Sequence, residues 1–168
     1  MPFFYPEEIH MKKESELVEI KLSEASESFS KEEMELIEKT KVARSQAYAP
    51  YSNFNVGAAA LLENGAILKG NNQENAAYPS GLCAERVLLN FVKANFPKED
   101  VRAIAIITDH AHIENHNVPV PCGACLQTIL ETERRQEYPI KIILIGYDTY
   151  FVADGIRQFL PFQFDLDQ

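Results

Sequence analysis

The spacing of apolar residues changes period several times along the chain, and each change marks an element. Val18-Glu19-Ile20-Lys21-Leu22 alternates with period two, the mark of a short strand with one buried face. Residues 23–30 are rich in serine and read as a loop. Ser30-Lys31-Glu32-Glu33 then forms a capping box, and Met34, Ile37, Val42 and Ala47 keep a loose helical period. That helix is predicted to end near Tyr48, because Pro50 disfavours helix in the residue before it. Residues 54–62 are a strand of Val, Ala and Leu, Glu63-Asn64-Gly65 is a hairpin turn, and residues 66–70 are the return strand. Residues 71–82 are polar, contain Pro79 and Gly81, and read as a long loop.

From Cys83 to about Asn95 a helical face recurs at Ala84, Val87, Leu88, Phe91 and Val92. Residues 101–108 are a near-continuous β-branched and apolar run, as in a strand buried on both faces. A loop over 109–120 carries His110, His112 and His116. Pro121 opens the next helix, where a missing amide costs nothing; it runs to about Glu133 with Leu126, Ile129 and Leu130 inward. A buried strand over 140–145, a turn and short strand over 148–154, a short helix over 155–159 and a Phe-rich tail complete the chain. The order helix, hairpin, helix, strand, helix, strand, strand predicts an α/β fold, a three-layer α/β/α domain around a mixed five-stranded sheet. Residues 30–168 form that domain. Residues 1–29 are an N-terminal extension, an added edge strand or an oligomer contact.

Composition narrows the class. At 168 residues the chain is long enough for one well-buried core, and 46% hydrophobic with 24% charged residues is ordinary for a globular protein. No apolar run approaches the roughly 20 residues that span a bilayer, and the first ten residues lack the pattern of a signal peptide. The expectation is a cytoplasmic protein with no membrane partner. The formal net charge of −9 repels phosphate backbones, so a nucleic-acid polymer is a poor substrate. Three cysteines cannot all pair, which suits a reducing compartment.

All three cysteines lie in Cys83-Ala84-Glu85-Arg86 and Pro121-Cys122-Gly123-Ala124-Cys125, both at predicted helix starts. Three thiols leave one place of a tetrahedral zinc site open, which is what hydrolytic chemistry needs. Unpaired amides and the positive end of the helix dipole favour thiolate there. Three thiolates on Zn²⁺ leave excess negative charge, and Arg86 is placed to offset it. Glu85, desolvated beside the metal, can serve in turn as base and acid. Cys-x-Glu at one helix start and Pro-Cys-x-x-Cys at another, with a strand between, fit the zinc-deaminase signature with cysteine as the first ligand.

Over residues 31–164 the chain resembles the cytidine deaminases of the small, homotetrameric type with three cysteine ligands. The resemblance rests on the motif from Ala49-Pro50-Tyr51-Ser52-Asn53-Phe54 through Ala58, on Asn72-Gln73-Glu74-Asn75-Ala76-Ala77-Tyr78, and on the two cysteine motifs in that order. It implies one Zn²⁺ per chain on Cys83, Cys122 and Cys125, and Glu85 as proton shuttle. The substrate is a free nucleoside, cytidine or deoxycytidine. Asn72 and Glu74 would hold the ribose 3′-hydroxyl, Phe54 would pack on the base, and the backbone at Cys83 and Ala84 would meet the base edge. Phe164 would be lent to a neighbouring site in a homotetramer. Leu126 stands where the family commonly has arginine, and the 109–120 loop looks long.

Three other readings compete. A deaminase of a modified cytosine nucleoside or nucleoside antibiotic would share the scaffold, but Asn72 and Glu74 fit an unmodified ribose. A structural zinc module for binding would need a fourth protein ligand, such as His110 or His112. A thiol redox protein would use Cys122 and Cys125 alone. The last two leave Glu85 and the Asn72/Glu74 pair unexplained.

Overall fold

The computed structural model describes residues 18–21, 24–109, 118, 120–160 and 162–164, the first four by backbone only. The loop histidines and most of the N-terminal extension therefore lie outside the described residues. Among the described residues six strands form one sheet in the order β1-β6-β5-β4-β2-β3. They are β1 (Val18–Lys21), β2 (Val56–Leu62), β3 (Ile67–Asn71), β4 (Val101–Thr108), β5 (Lys141–Ile145) and β6 (Thr149–Asp154). The five strands expected of the domain are β2 to β6, and β1 adds a sixth, antiparallel to β6 at the edge. Among the described strands β4 and β5 run parallel and the other pairs are antiparallel, which makes the sheet mixed. That parallel pair is joined through α4 (Gly123–Arg134), as a parallel crossover requires.

Alternation along β2, β4 and β5 divides the core into two layers. Ala58, Ala60, Leu62, Ile104, Ile106, Ile142 and Leu144 face α3 (Ala84–Asn95) and α4, where Leu88, Leu89, Ile129 and Leu130 meet them. Ala59, Leu61, Ala105, Ile107 and Ile143 face the other way, onto Leu36 and Ile37 of α2 (Lys31–Ser45). This is the three-layer arrangement, with the small Ala side chains of β2 letting helices approach both faces. Two glycines allow the closest approaches. A Cβ at Gly57 would lie 2.4 Å from the Arg44 backbone nitrogen of α2, and one at Gly70 would lie 2.8 Å from the Ala84 carbonyl at the start of α3.

Several boundaries differ from the sequence reading. The capping box at Ser30 and Glu33 is present, but α2 ends at Ser45, not Tyr48. Tyr48 is drawn instead into a bridge with Gln73, its amide donating to the Asn72 carbonyl at 3.0 Å. The buried face of α2 is Leu36, Ile37, Thr40 and Ala43, whereas Val42 is exposed. Thr40 can be buried because its hydroxyl donates to the Leu36 carbonyl at 2.7 Å. In α3, Phe91 points outward and Leu89 inward. The serine-rich stretch holds a short helix, α1 (Ala25–Ser28), where Ala25 and Phe29 enter the second core layer. Phe29 packs edge-on against Tyr150 with ring centroids 5.2 Å apart.

Candidate active site

Both cysteine segments begin helices. Cys83 is the N-cap of α3 and Cys122 the N-cap of α4, each with extended backbone. The first intrahelical bonds run from Val87 N–H to the Cys83 carbonyl and from Leu126 N–H to the Cys122 carbonyl. The amides before them have no intrahelical acceptor, so each helix turns its positive end toward the sulfurs. The two-residue spacer puts Cys125 at the N3 position of α4. N-cap and N3 side chains meet in a helix start, which is the geometry a capping box uses.

The three sulfurs converge. Cys83 and Cys122 are 4.0 Å apart, Cys122 and Cys125 3.5 Å, and all three ligand atoms lie within 4.8 Å of one another. With Zn–S bonds of about 2.3 Å, the edge of a tetrahedron is about 3.8 Å. The sulfurs already stand near that spacing, and as soft thiolate donors they suit zinc. Among the described residues they are the only such group of three. A hydrogen bond from Cys125 holds the Cys83 thiol down to about 6, and Arg86 acts in the same direction against the opposing burial and the Glu85 charge. The same bond to Cys83, with burial, pushes Cys125 up.

Glu85 lies on the first turn of α3 and is 4% exposed. Burial pushes its carboxyl above the ordinary range, offset in part by its own amide and by the Cys125 thiol. A carboxylate so placed is a better base than one in water and holds a proton more readily than an exposed one. Ala84 beside it is fully buried.

A cleft of about 380 Å³ is lined by Tyr51, Ser52, Glu74, Asn75, Tyr78 and Gly81. Gly81, on its wall, is two residues before Cys83, and Leu82 is bridged to Gln73. Glu74 is bound by the Ser52 hydroxyl, by the Tyr51 amide at 2.8 Å and by the Ser52 amide at 3.3 Å. The Ser52 hydroxyl and the Tyr51 amide hold its carboxyl below the ordinary range. Asn72 is 8% exposed, and both ends of its carboxamide bond to the backbone of residues 54–56. Its Nδ2 donates to the Phe54 carbonyl and its Oδ1 accepts from the Val56 amide, each at 2.8 Å. Phe54 is half-buried.

Phe164 is 71% exposed, and its carbonyl accepts from Gln127 Nε2 on α4 at 2.9 Å. The structure thus brings the cysteines and Glu85 together, sets Glu74 on the cleft wall, and leaves Phe164 on the surface. Sequence reading assigned no role to Ser52 or Tyr51, although both lie inside the motif over residues 49–58. Gln127 and Asp109 were also unassigned; their partners, Phe164 and Asn55, are distant in sequence.

A three-layer α/β/α domain with three thiols and a buried glutamate at converging helix starts defines a class: the zinc-dependent hydrolytic deaminases. The chain matches the family described as the cytidine and deoxycytidylate deaminase zinc-binding region over residues 30–138, and it belongs to that family. It is 45% identical over 96 residues to a cytidine deaminase of Halalkalibacterium halodurans, a match covering 57% of this chain and 68% of that protein. The crystal structure of cytidine deaminase from Burkholderia pseudomallei superposes with a TM-score of 0.66 at 36% identity, covering 78% of this chain and 98% of the other. That of cytidine deaminase from Mycobacterium tuberculosis gives 0.61 at 29% identity, covering 82% and 100%.

Proposed function

We propose that the chain is a cytidine deaminase, removing the 4-amino group of cytidine and deoxycytidine by hydrolysis to give uridine or deoxyuridine and ammonia. The observation that carries this is the buried Glu85 one turn-start from three converging sulfurs. Cys83, Cys122 and Cys125 would hold one Zn²⁺ per chain. When bound, zinc supplies the Lewis acidity that makes water a competent nucleophile near neutral pH.

The protein's own groups do the rest. Glu85, as carboxylate, takes a proton from the attacking water and delivers it to N3 of the base, which makes C4 electrophilic. Oxygen adds at C4, Glu85 takes the second water proton and passes it to the amino nitrogen, and the C4–N bond breaks to release ammonia. The N3 proton remains on the uracil product, so the two protons of water are accounted for. Arg86 offsets the charge of the thiolates. Phe54 packs on the base, and the Cys83 and Ala84 backbone meets its edge. Asn72 and Glu74 hold the ribose 3′-hydroxyl; the acidic chain and Glu74 then disfavour a 3′-phosphate. Residues 30–168 are the catalytic domain and residues 1–29 the extension. Further, the active form is a homotetramer that lends Phe164 between subunits, and the role is pyrimidine salvage in the cytoplasm. No described helix is long and apolar enough to cross a membrane.

The test is the ultraviolet absorbance of cytidine over time with zinc-replete protein beside Glu85→Gln. Wild type should erase the cytosine band, and Glu85→Gln should be slower by about 10²–10⁴-fold with zinc retained. Absence of turnover by wild type carrying zinc would sink the assignment.

A further inference from the structure

We infer that Asp109, held by Arg44, is a positioning residue that fixes Phe54 for substrate binding; this rests on the reading of Phe54 as the aromatic against the base. The residues 54–56 leading into β2 have every backbone polar group paired. Phe54 N–H donates to Ser52 Oγ at 3.0 Å and its carbonyl accepts from Asn72 Nδ2 at 2.8 Å. Asn55 N–H donates to Asp109 Oδ2 at 3.2 Å, and its carbonyl accepts from the Asp109 amide at 3.1 Å. Val56 N–H donates to Asn72 Oδ1 at 2.8 Å and its carbonyl accepts from the Asn72 amide at 3.2 Å.

Within that set Asp109 makes the most contacts with one residue. Besides the two backbone bonds, its Oδ2 accepts from Asn55 Nδ2 at 2.8 Å. The other carboxylate oxygen faces Arg44 Nε at 3.5 Å, and Arg44 also donates to the Thr108 carbonyl at 3.1 Å. Arg44 is in turn fixed by the close packing of α2 on Gly57. The carboxylate is therefore clamped from the helix side and grips the residue next to Phe54 from the sheet side. The pair is partly buried, so its charge-assisted bonds are less screened than surface ones.

A residue that only aims Phe54 contributes equally to ground-state and transition-state binding. Its loss should raise KM and spare kcat. The experiment measures cytidine kinetics for wild type, Asp109→Ala, Phe54→Ala and the double variant, with zinc content and amide hydrogen exchange. The expected result is a KM about 5–10-fold higher for Asp109→Ala, kcat within twofold, zinc unchanged and faster exchange at Asn55. In the Phe54→Ala background the same change should alter kcat/KM by less than twofold, because the group being aimed is gone. Equal effects in both backgrounds, or a lower melting temperature with KM unchanged, would overturn the inference while leaving cytidine deamination intact. Wild type without cytidine turnover overturns both. If Asp109→Ala does not fold, Asp109→Asn replaces it: one oxygen still reaches Asn55 while the Arg44 pair is lost, and KM should rise about 2–3-fold. No KM change in Asp109→Asn would overturn the inference equally.

Discussion

Cys83 and Cys122 are each the N-cap of a helix, and their sulfurs lie 4.0 Å apart. Two helix dipoles therefore point their positive ends at one cluster of thiols. Together with the Arg86 guanidinium, this favours the thiolate form of Cys83. It also means that whatever holds α3 and α4 in place holds the thiol cluster.

Metal should be part of the fold as well as the chemistry. A cation that binds only the native thiol cluster stabilises it by about 4 kcal/mol when free zinc stands a thousandfold above its dissociation constant. For a domain of this length that is on the order of 10 °C in melting temperature. Calorimetry before and after dialysis against a chelator should show such a drop, reversed by stoichiometric zinc and accompanied by loss of turnover. An unchanged melting temperature would mean that the sulfurs do not hold a structural load.

Gly70 sets the position of α3. A Cβ there would meet the Ala84 carbonyl, the Leu88 amide and the Leu88 Cβ, all at 2.8 Å. None of these can move without moving the first turn of the helix, and overpacking of this kind costs about 1–3 kcal/mol. Gly70→Ala should therefore lower stability and also weaken zinc binding, because Cys83 immediately precedes that turn. Competition titration with a chromophoric chelator separates the two: weakened stability with unchanged zinc affinity would show that α3 tilts about its start rather than shifting.

The chemistry-bearing part of the molecule was the more legible in sequence. A cysteine at an N-cap with a glutamate two residues on, and a second pair spaced to fill N-cap and N3, are local patterns, and local patterns survive without knowledge of the fold. Strand β4 was equally plain, since the buried run Ala103 to Ile107 has no polar position to confuse it and only Arg102 interrupts the burial. The hydrophobic faces of helices were harder. Lys93 is buried, against its type, because its ammonium donates to the Glu99 carbonyl at 2.7 Å while its stem stays inside. Phe91 is exposed although apolar. The helix in residues 25–28 was hidden by serines and depends on Ala25 and Phe29 reaching the core layer over Tyr150. Bonds such as Asn55 to Asp109 join residues 54 apart in sequence, and no spacing rule reaches that far.

Glu33 should confer a specific acid sensitivity. Burial alone would raise its carboxyl, but bonds from the Lys141 ammonium at 2.6 Å and the Ser30 amide at 2.8 Å outweigh this and hold it below 4.5. As pH falls, the unfolded chain binds this proton first. The stabilisation is thus complete above pH 4.5 and is lost as pH drops through the lower folded value. Glu33→Gln should cost about 1 kcal/mol in urea unfolding at neutral pH, the scale of a lost cap interaction. The gap from wild type should begin to narrow below about pH 4.5, as the unfolded chain takes up the proton, and close only below the lower folded value, where the native carboxyl is itself protonated. A gap that stays constant with pH would assign the cost to packing.

The tail offers a test of assembly that does not depend on measuring mass. Gln127 pins the Phe164 carbonyl to α4, yet the Phe162 and Phe164 side chains are 86% and 71% exposed on the single chain. Aromatic rings anchored by the backbone and bare at the side chain suit contact with another subunit. If Phe164 completes a neighbour's site, Phe164→Ala should raise KM several-fold, and Glu85→Gln should remain almost inactive at any substrate concentration. Exchanging subunits between these two variants should then recover activity with wild-type KM. The recovered sites would pair an intact Glu85 from one chain with an intact Phe164 from the other. Mixed oligomers that show only the raised KM of Phe164→Ala would place the ring in its own subunit's site, or in none.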